Sequence, residues 1–403
     1  SSRCHAEIPG SKYLTDMRHV LELFLFFIVL MGLPDWYIYR YSIKQWKSTW
    51  LRRLYWLPSI LLLVGMIAVY CTYEPRPQAM NRLSLFLIVF LCINVPKAIF
   101  TLATLLFKGL AHKIHHHFHE NAIGLAIALF SMAYLIYGAT EGKQHFQVKE
   151  VEIESVDIPH AFDGYRIVQL ADIHAGSWGE NTDAIQKAVN IIHKLEPDLI
   201  VFTGDLVNNL ASELDAFIPI FAQLKAKDGV YSVLGNHDYS TYIQWDTPQQ
   251  QEEQLDSLKS KQAQMGWTLL NNRHVKIYQG NDSIALIGVE NSGRPPFPDR
   301  AKLAEAMSGT EGMFKILLSH DPSHWRREVL PQTDIQLMLA GHTHAMQTKI
   351  FGFTPAQFVY PENDGLYQEG KQMLYVNIGL GHLLYPMRLG AWPEITLLTL
   401  RKE

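Results

Sequence analysis

Apolar residues follow two different rhythms along this chain. Up to about residue 140 they form long runs, Val20–Tyr39, Leu54–Tyr73, Leu83–Phe107 and His117–Gly138. Each run approaches the ~20 residues a helix needs to cross a hydrocarbon layer, and four in succession predict four membrane spans. Beyond Glu141-Gly142 the runs shorten. Tyr165–Ala171, Leu199–Thr203, Val230–Leu234, Phe314–Leu318 and Ile335–Ala340 read as buried strands, and Thr268–Tyr278, Ser283–Val289, Met373–Asn377 and Glu394–Leu400 as further ones. Between them Asn181–Leu195 carries Ile185, Ala188, Val189 and Ile192 at helical spacing, with Asn181 or Thr182 available as its cap. Asp215–Leu224 and Gln249–Met265 are further helix candidates. The alternation predicts a layered α/β domain. The chain therefore divides into a tail (1–19), a four-helix transmembrane region (20–140) and a globular domain (145–403).

Aromatic residues crowd the end of the first run: Trp36, Tyr37, Tyr39, Tyr41, Trp46, Trp50, Tyr55 and Trp56. Rings with a polar tip favour the headgroup zone, so this is an expected interfacial belt. The first connection holds Arg40, Lys44, Lys47, Arg52 and Arg53 and the third Lys108 and Lys113, against Arg76 and Arg82 in the second. Retention of basic connections in the cytoplasm predicts an integral protein of a bacterial cytoplasmic membrane, its globular domain extracytoplasmic. Cys4, Cys71 and Cys92 all precede that domain, which contains no cysteine and so fixes no redox compartment. A net charge of -4 without a basic run argues against a nucleic-acid partner. Oligomeric state is not legible.

Five short motifs stand immediately after five of the expected strands: Asp172-Ile-His174, Gly204-Asp205, Gly235-Asn236-His237-Asp238, Ser319-His320-Asp321 and Gly341-His342-Thr-His344. Strand ends are where α/β sheets gather their active-site loops. The motifs supply carboxylate, imidazole and amide ligands for two ions. With Asp205 as bridge, Asp172, His174 and His344 complete one shell and Asn236, His320 and His342 the other. A mixed oxygen and nitrogen set suits Mn, Fe, Zn or Co better than Ca; manganese is the first expectation. Two metals a few ångströms apart activate a bridging water and offset charge on a phosphoryl group, which is the chemistry of phosphoester hydrolysis. His237 adjoins a ligand without being needed as one, so it is the candidate general acid, with Asp238 to orient its imidazole. Asp321 is read as a turn residue outside both shells.

The ordered motifs, D-x-H, G-D, G-N-H-D, a lone His and G-H-x-H, resemble those of the calcineurin-like metallophosphoesterase superfamily over roughly residues 148–403. The resemblance implies the ligand roles above and a sandwich of two sheets flanked by helices. The stretch Val376–Gly381, followed by Pro386–Gly390 and Pro393–Leu397, is similar to a membrane-associated bacterial phosphodiesterase branch. That branch includes enzymes acting on lipid-linked pyrophosphates such as UDP-diacylglucosamine. His382 and Leu383-Leu384-Tyr385 depart from the smaller, more polar segment often found there.

Function and site contacts follow as expectations. The leading one is a membrane-embedded phosphoesterase for a lipid or lipid-linked phosphate. The alternatives are a tethered phosphodiesterase for a soluble nucleotide or sugar phosphate, and a metal-containing receptor or transport component without catalysis. Arg388 is a candidate for holding a substrate phosphate or for stabilising the C-terminal strands, and Asn208 for lining the cleft or making a turn. His112, His115, His116, His117 and His119 invite a metal reading, but spacing alone makes no ligand set and contact of the imidazoles with lipid headgroups is the favoured account. Lys97, beside Asn94 and Pro96, is either an intramembrane functional charge or, if Pro96 ends the span, an interfacial one followed by a surface helix.

Overall fold

The computed structural model describes residues 9–72, 77–114 and 119–403. It separates into two compact units, one from residues up to Tyr73 with Arg82–Tyr137, the other holding Gly138–Glu403.

The first unit is helical: α1 (Pro9–Tyr41), α2 (Thr49–Leu54), α3 (Leu57–Cys71), α4 (Pro77–Ile114) and α5 (Glu120–Thr140). Ser48 caps α2 by accepting the Leu51 N–H, and Pro58 sits in the first turn of α3, where its missing N–H costs nothing. Among the described residues three helices are long and apolar enough to cross a membrane: Thr49–Cys71, Arg82–Lys113 and Glu120–Gln144. The first expected span falls within α1, whose side chains before residue 25 lie outside the described residues, as do Cys4, His115, His116 and His117.

Met31, Leu62 and Phe90 form the bundle's core, with Phe27 edge-on to Phe90 at 4.8 Å. Outward faces are apolar, with Phe26, Leu61, Leu102, Leu106 and Phe130 more than half exposed, as expected of helices solvated by hydrocarbon. Pro96 does not end the third span. Helix α4 continues through it, so no separate surface helix starts at Ala98. Lys97 lies 2.8 Å from the buried Asp35 and 3.1 Å from Ser59 Oγ.

The second unit contains β1 (Gln147–Ser155), β2 (Arg166–Leu170), β3 (Leu199–Phe202), β4 (Val230–Ser232), β5 (Thr268–Leu269), β6 (Arg273–Gln279), β7 (Asp282–Gly288), β8 (Phe314–Leu318), β9 (Leu337–Ala340), β10 (Gly365–Glu369), β11 (Gln372–Val376) and β12 (Glu394–Lys402). One sheet runs β1-β12-β2-β3-β4-β5 and the other β10-β11-β9-β8-β7-β6. In the first, β2 to β5 are parallel and β12 lies antiparallel to β2. In the second, β7, β8, β9 and β11 are parallel.

Side-chain alternation assigns the layers. Ile167, Leu199 and Val201 of one sheet meet Leu286, Ile316, Leu318, Leu337 and Leu339 of the other in a shared core. The alternate residues Val168, Ile200 and Phe202 face the helix Thr182–Lys194 through Ile185, Val189 and Ile192. Leu317 and Met338 pack outward under Trp325 and Val329. Each such fully buried side chain contributes about 1.5–3 kcal/mol.

Three local expectations change. Thr268–Tyr278 is two strands in two sheets, parted at Asn272, whose φ of 50° turns the chain. Asp215–Leu224 yields only the turn Ile218–Phe221, with Pro219 near its start. β1 and β10 were not anticipated, because alternating charges in one and mixed polarity in the other mask the strand pattern.

Candidate metal centre

The parallel strands deliver the motif residues to adjoining sheet edges: Asp172 and His174 after β2, Asp205 after β3, Asn236 after β4, His320 after β8, and His342 and His344 after β9. The glycines beside them are required by contact. A Cβ on Gly235 would lie 2.2 Å from Asp205 Oδ1, and one on Gly341 2.4 Å from Asp172 Oδ2. Asp172, His174, Asp205, His342 and His344 all have φ between 48° and 74°. Left-handed backbone at non-glycine residues costs of order 1–3 kcal/mol each and persists only where the surroundings enforce it. Here Asp172 N–H donates to the Gly204 carbonyl at 2.9 Å, His174 N–H to that of Asp205 at 3.1 Å, and His342 N–H to the Asp172 carboxylate.

Two groups result. The ligand atoms of Asp172, His174 and His344 lie within 4.8 Å of one another, as do those of Asp205, His320 and His342. His174 Nε2 is 3.1 Å from His344 Nε2, and His344 Nε2 is 3.3 Å from Asp172 Oδ1. His320 Nε2 is 3.1 Å from Asp205 Oδ2 and 3.3 Å from His342 Nδ1. Asp205 joins the groups, since the same Oδ2 is 3.7 Å from His174 Nε2. Asn236 completes the set: its amide donates to Tyr242 Oη at 2.8 Å, while its Oδ1 is buried without a partner.

The donor set fits a pair of divalent ions. Burial holds the imidazoles of His174, His342 and His344 below their ordinary pKa, in the neutral form that metal ligation requires. Burial, with the charge of Asp205, pushes the Asp172 carboxyl up. Burial would lower His320, but Asp205 raises it to about 10. Two buried carboxylates thus crowd together with imidazoles as their ion-pair neighbours, and the Asn236 oxygen beside them is buried without a partner, as a site that receives cations requires. The His320 Nδ1 sits 2.8 Å from the Thr203 carbonyl and His342 Nε2 2.7 Å from Tyr360 Oη, which leaves His320 Nε2 and His342 Nδ1 as the ligating atoms.

Three candidates are placed differently from expectation or settle into one of two readings, and a fourth, Asp321, stands as expected. Asp238 does not orient His237. Its carboxylate accepts backbone N–H groups of Asp205, Leu206, Val207 and Gly235, tying two ligand loops together. The Asn208 carbonyl takes the expected orienting role, 2.8 Å from His237 Nδ1. The Asn208 side chain itself turns to Ser177. Arg388 is fully buried rather than available to a phosphate: it donates to the carbonyls of Gly381, Ala391, Ile378 and Gly379, and its Nη2 lies 3.1 Å from His344 Nδ1. Its charge helps keep His344 neutral. Asp321 Oδ1 accepts the Ser323 N–H, a turn contact. Three contributors went unread in the sequence: Tyr242, Tyr360 and Glu213, the last accepting N–H groups of Gly176, Asn208, Asn209 and Leu210. Only Glu213 carried a signal, lying three residues beyond the loop it caps.

Two family models match: "Calcineurin-like phosphoesterase" over residues 165–346, and "Probable Calcineurin-like phosphoesterase, transmembrane domain" over residues 17–143. An uncharacterized metallophosphoesterase of Bacillus subtilis, YkuE, is 33% identical over 63% of this chain and 85% of its own length. The chain belongs to the calcineurin-like phosphoesterases. A transmembrane protein with metallophosphoesterase domain from Danio rerio is 33% identical over 68% of this chain and 62% of that relative, so this chain spans under two thirds of it. An uncharacterized metallophosphoesterase of Campylobacter jejuni is 27% identical over 95% of this chain and 99% of its own. Membership, a transmembrane region and two clusters of metal-ligating residues together describe a membrane-associated, metal-dependent phosphoesterase. The relation holds at that level and does not single out the UDP-diacylglucosamine enzymes.

Proposed function

We propose that this phosphoesterase hydrolyses a phosphate or pyrophosphate bond of a lipid or lipid-linked substrate. The observation that carries the reading is the coexistence in one chain of several apolar helices, more than tethering needs, and two ligand clusters joined by Asp205. When bound, a pair of divalent ions, manganese foremost, lowers the pKa of water and offsets charge on the phosphoryl oxygens. Asp172, His174 and His344 would hold one ion, Asn236, His320 and His342 the other, and Asp205 both.

The remaining chemistry belongs to the chain. His237, fixed through Nδ1 on the Asn208 carbonyl, keeps Nε2 for a substrate oxygen. Burial lowers its pKa and Asp205 opposes that, so a proton held at Nε2 is readily given to the departing oxygen. Asp238 holds the Asp205 and Asn236 loops at fixed separation, so the acid and the ligands keep register.

The deciding assay compares purified full-length protein with Mn on a long-chain lipid pyrophosphate and on its short-chain soluble analogue. Preference for the long chain supports the proposal; equal turnover moves the substrate to the soluble class. The basic connections support an extracytoplasmic catalytic domain, and digestion of that domain by protease only after cell lysis would reverse that placement.

A further inference from the structure

Within the membrane unit a cavity of about 720 Å³ opens between α1, α4, α5 and the residues that follow α1. Its lining is sorted along its length. Tyr41, Ser42 and Gln45 stand where α1 ends, whereas Ile93, Leu129 and Met132 line the wall farther along α4 and α5. The polar end is basic. Lys108 lies 5.3 Å and Arg40 5.5 Å from the ring of Tyr41, and Lys108 also reaches Tyr37 Oη at 3.4 Å. Residues 40–53 contain five basic and no acidic side chains, and residues 108–121 contain Glu120 as their one carboxylate.

A further polar group faces the cavity from its middle. Lys97 lines it with a side chain 17% exposed. Its ammonium has three N–H donors, of which Asp35 and Ser59 take two. Pro96, also in the lining, has no N–H for the carbonyl of Cys92 one turn earlier, so a helix acceptor is freed beside that lysine. An apolar trough, a basic mouth and a lysine ammonium at mid-depth match one amphiphile: a phosphate head, an ester-linked glycerol and a hydrocarbon chain.

We propose that this cavity is a binding site for one acidic phospholipid. The phosphate lies against the Arg40 and Lys108 end, Lys97 donates to an ester or headgroup oxygen, and an acyl chain follows the wall past Ala128. The site is distinct from the metal centre and does not depend on what that centre hydrolyses.

The test uses the full chain reconstituted in vesicles of phosphatidylcholine and phosphatidylglycerol, extracted gently and weighed by native mass spectrometry. Wild type should retain one phosphatidylglycerol in preference to phosphatidylcholine. Ala128→Phe, which fills the trough, should lower retention of both lipids. Arg40→Gln with Lys108→Gln should keep retention but cut the preference about thirtyfold, at ~1 kcal/mol for each of the two cations removed. Circular dichroism and a monodisperse elution profile show whether each variant is folded, and if Ala128→Phe is not, the double variant decides. Retention of the lipids in their vesicle ratio by wild type, or an unchanged preference in the double variant, overturns the proposal.

Discussion

Both units bury carboxylates, and they balance them in opposite ways. In the membrane unit Asp35 is matched within the chain: Lys97 pairs with it at 2.8 Å, Tyr55 Oη donates to it at 3.1 Å, and Ser59 donates as well. In the catalytic unit Asp172 and Asp205 lie among four imidazoles and an Asn236 amide oxygen with no partner, and among the described residues neither carboxylate has a lysine or arginine within ion-pair distance. A buried charge that its own fold neutralises is a fastening. One that its own fold leaves short is a request for something from outside, and the contrast separates a packing pair from a ligand site without reference to relatives.

The comparison can be broken at either end. Asp205→Asn should have the largest effect, removing the residue shared by both groups. Turnover falls by at least ~10³-fold and metal content drops from two ions per chain, by elemental analysis; full activity with two ions retained would refute the bridging role. His237→Gln should cost about 10²–10⁴-fold in kcat while metal content stays at the wild-type value, so concurrent metal loss would make His237 a ligand rather than an acid. In the membrane unit Lys97→Met should destabilise by about 3–5 kcal/mol in detergent melts, because Asp35 is left buried without its cation. The double change Asp35→Leu with Lys97→Met should recover most of that loss. A double variant as unstable as the single one would give the pair a role other than mutual neutralisation.

Arg388→Lys sharpens the contrast from within the catalytic unit. It keeps the charge but not the fork that spans four carbonyls, and metal affinity should weaken about 10–100-fold, measured by competition with a chelator. The smallest effect concerns Asp364. Burial would raise its pKa, but Lys149 and Lys349 hold it below the ordinary value. Its stabilisation is therefore present above about pH 4 and is lost as the pH falls through the depressed value. Asp364→Asn should flatten that acid limb in a pH series of melting temperatures and leave stability at neutral pH only slightly reduced.

Much of the catalytic unit was legible in advance, because its strands are short apolar runs ending in motifs and the motif spacing names the ligands. The five strands read as preceding the motifs became β2, β3, β4, β8 and β9. What escaped was information not held in local pattern. Asp238 looks like a partner for the adjacent His237, yet a carboxylate at that position meets three converging N–H groups from a loop over thirty residues away, besides that of Gly235 in its own loop. Arg388 looks like a phosphate ligand until the strands close over it. Tyr242 and Tyr360 come from loops without periodicity and reach the centre only through tertiary folding. Lys97 was ambiguous because its partner, Asp35, lies sixty-two positions earlier, inside the first apolar run.

Strand β12 lies between β1 and β2, parallel to one and antiparallel to the other, and carries Leu398 and Leu400 into the core shared by both sheets. The first two strands of this unit therefore have an empty lane between them on the ribosome until residues 394–402 emerge. By then the apolar helices upstream have long been available to the membrane insertion machinery. The nascent catalytic unit waits, tethered by its leading end, with an open sheet and exposed leucines, and nonsense or frameshift alleles that spare every metal ligand but lose β12 should yield chains that chaperones retain and proteases clear.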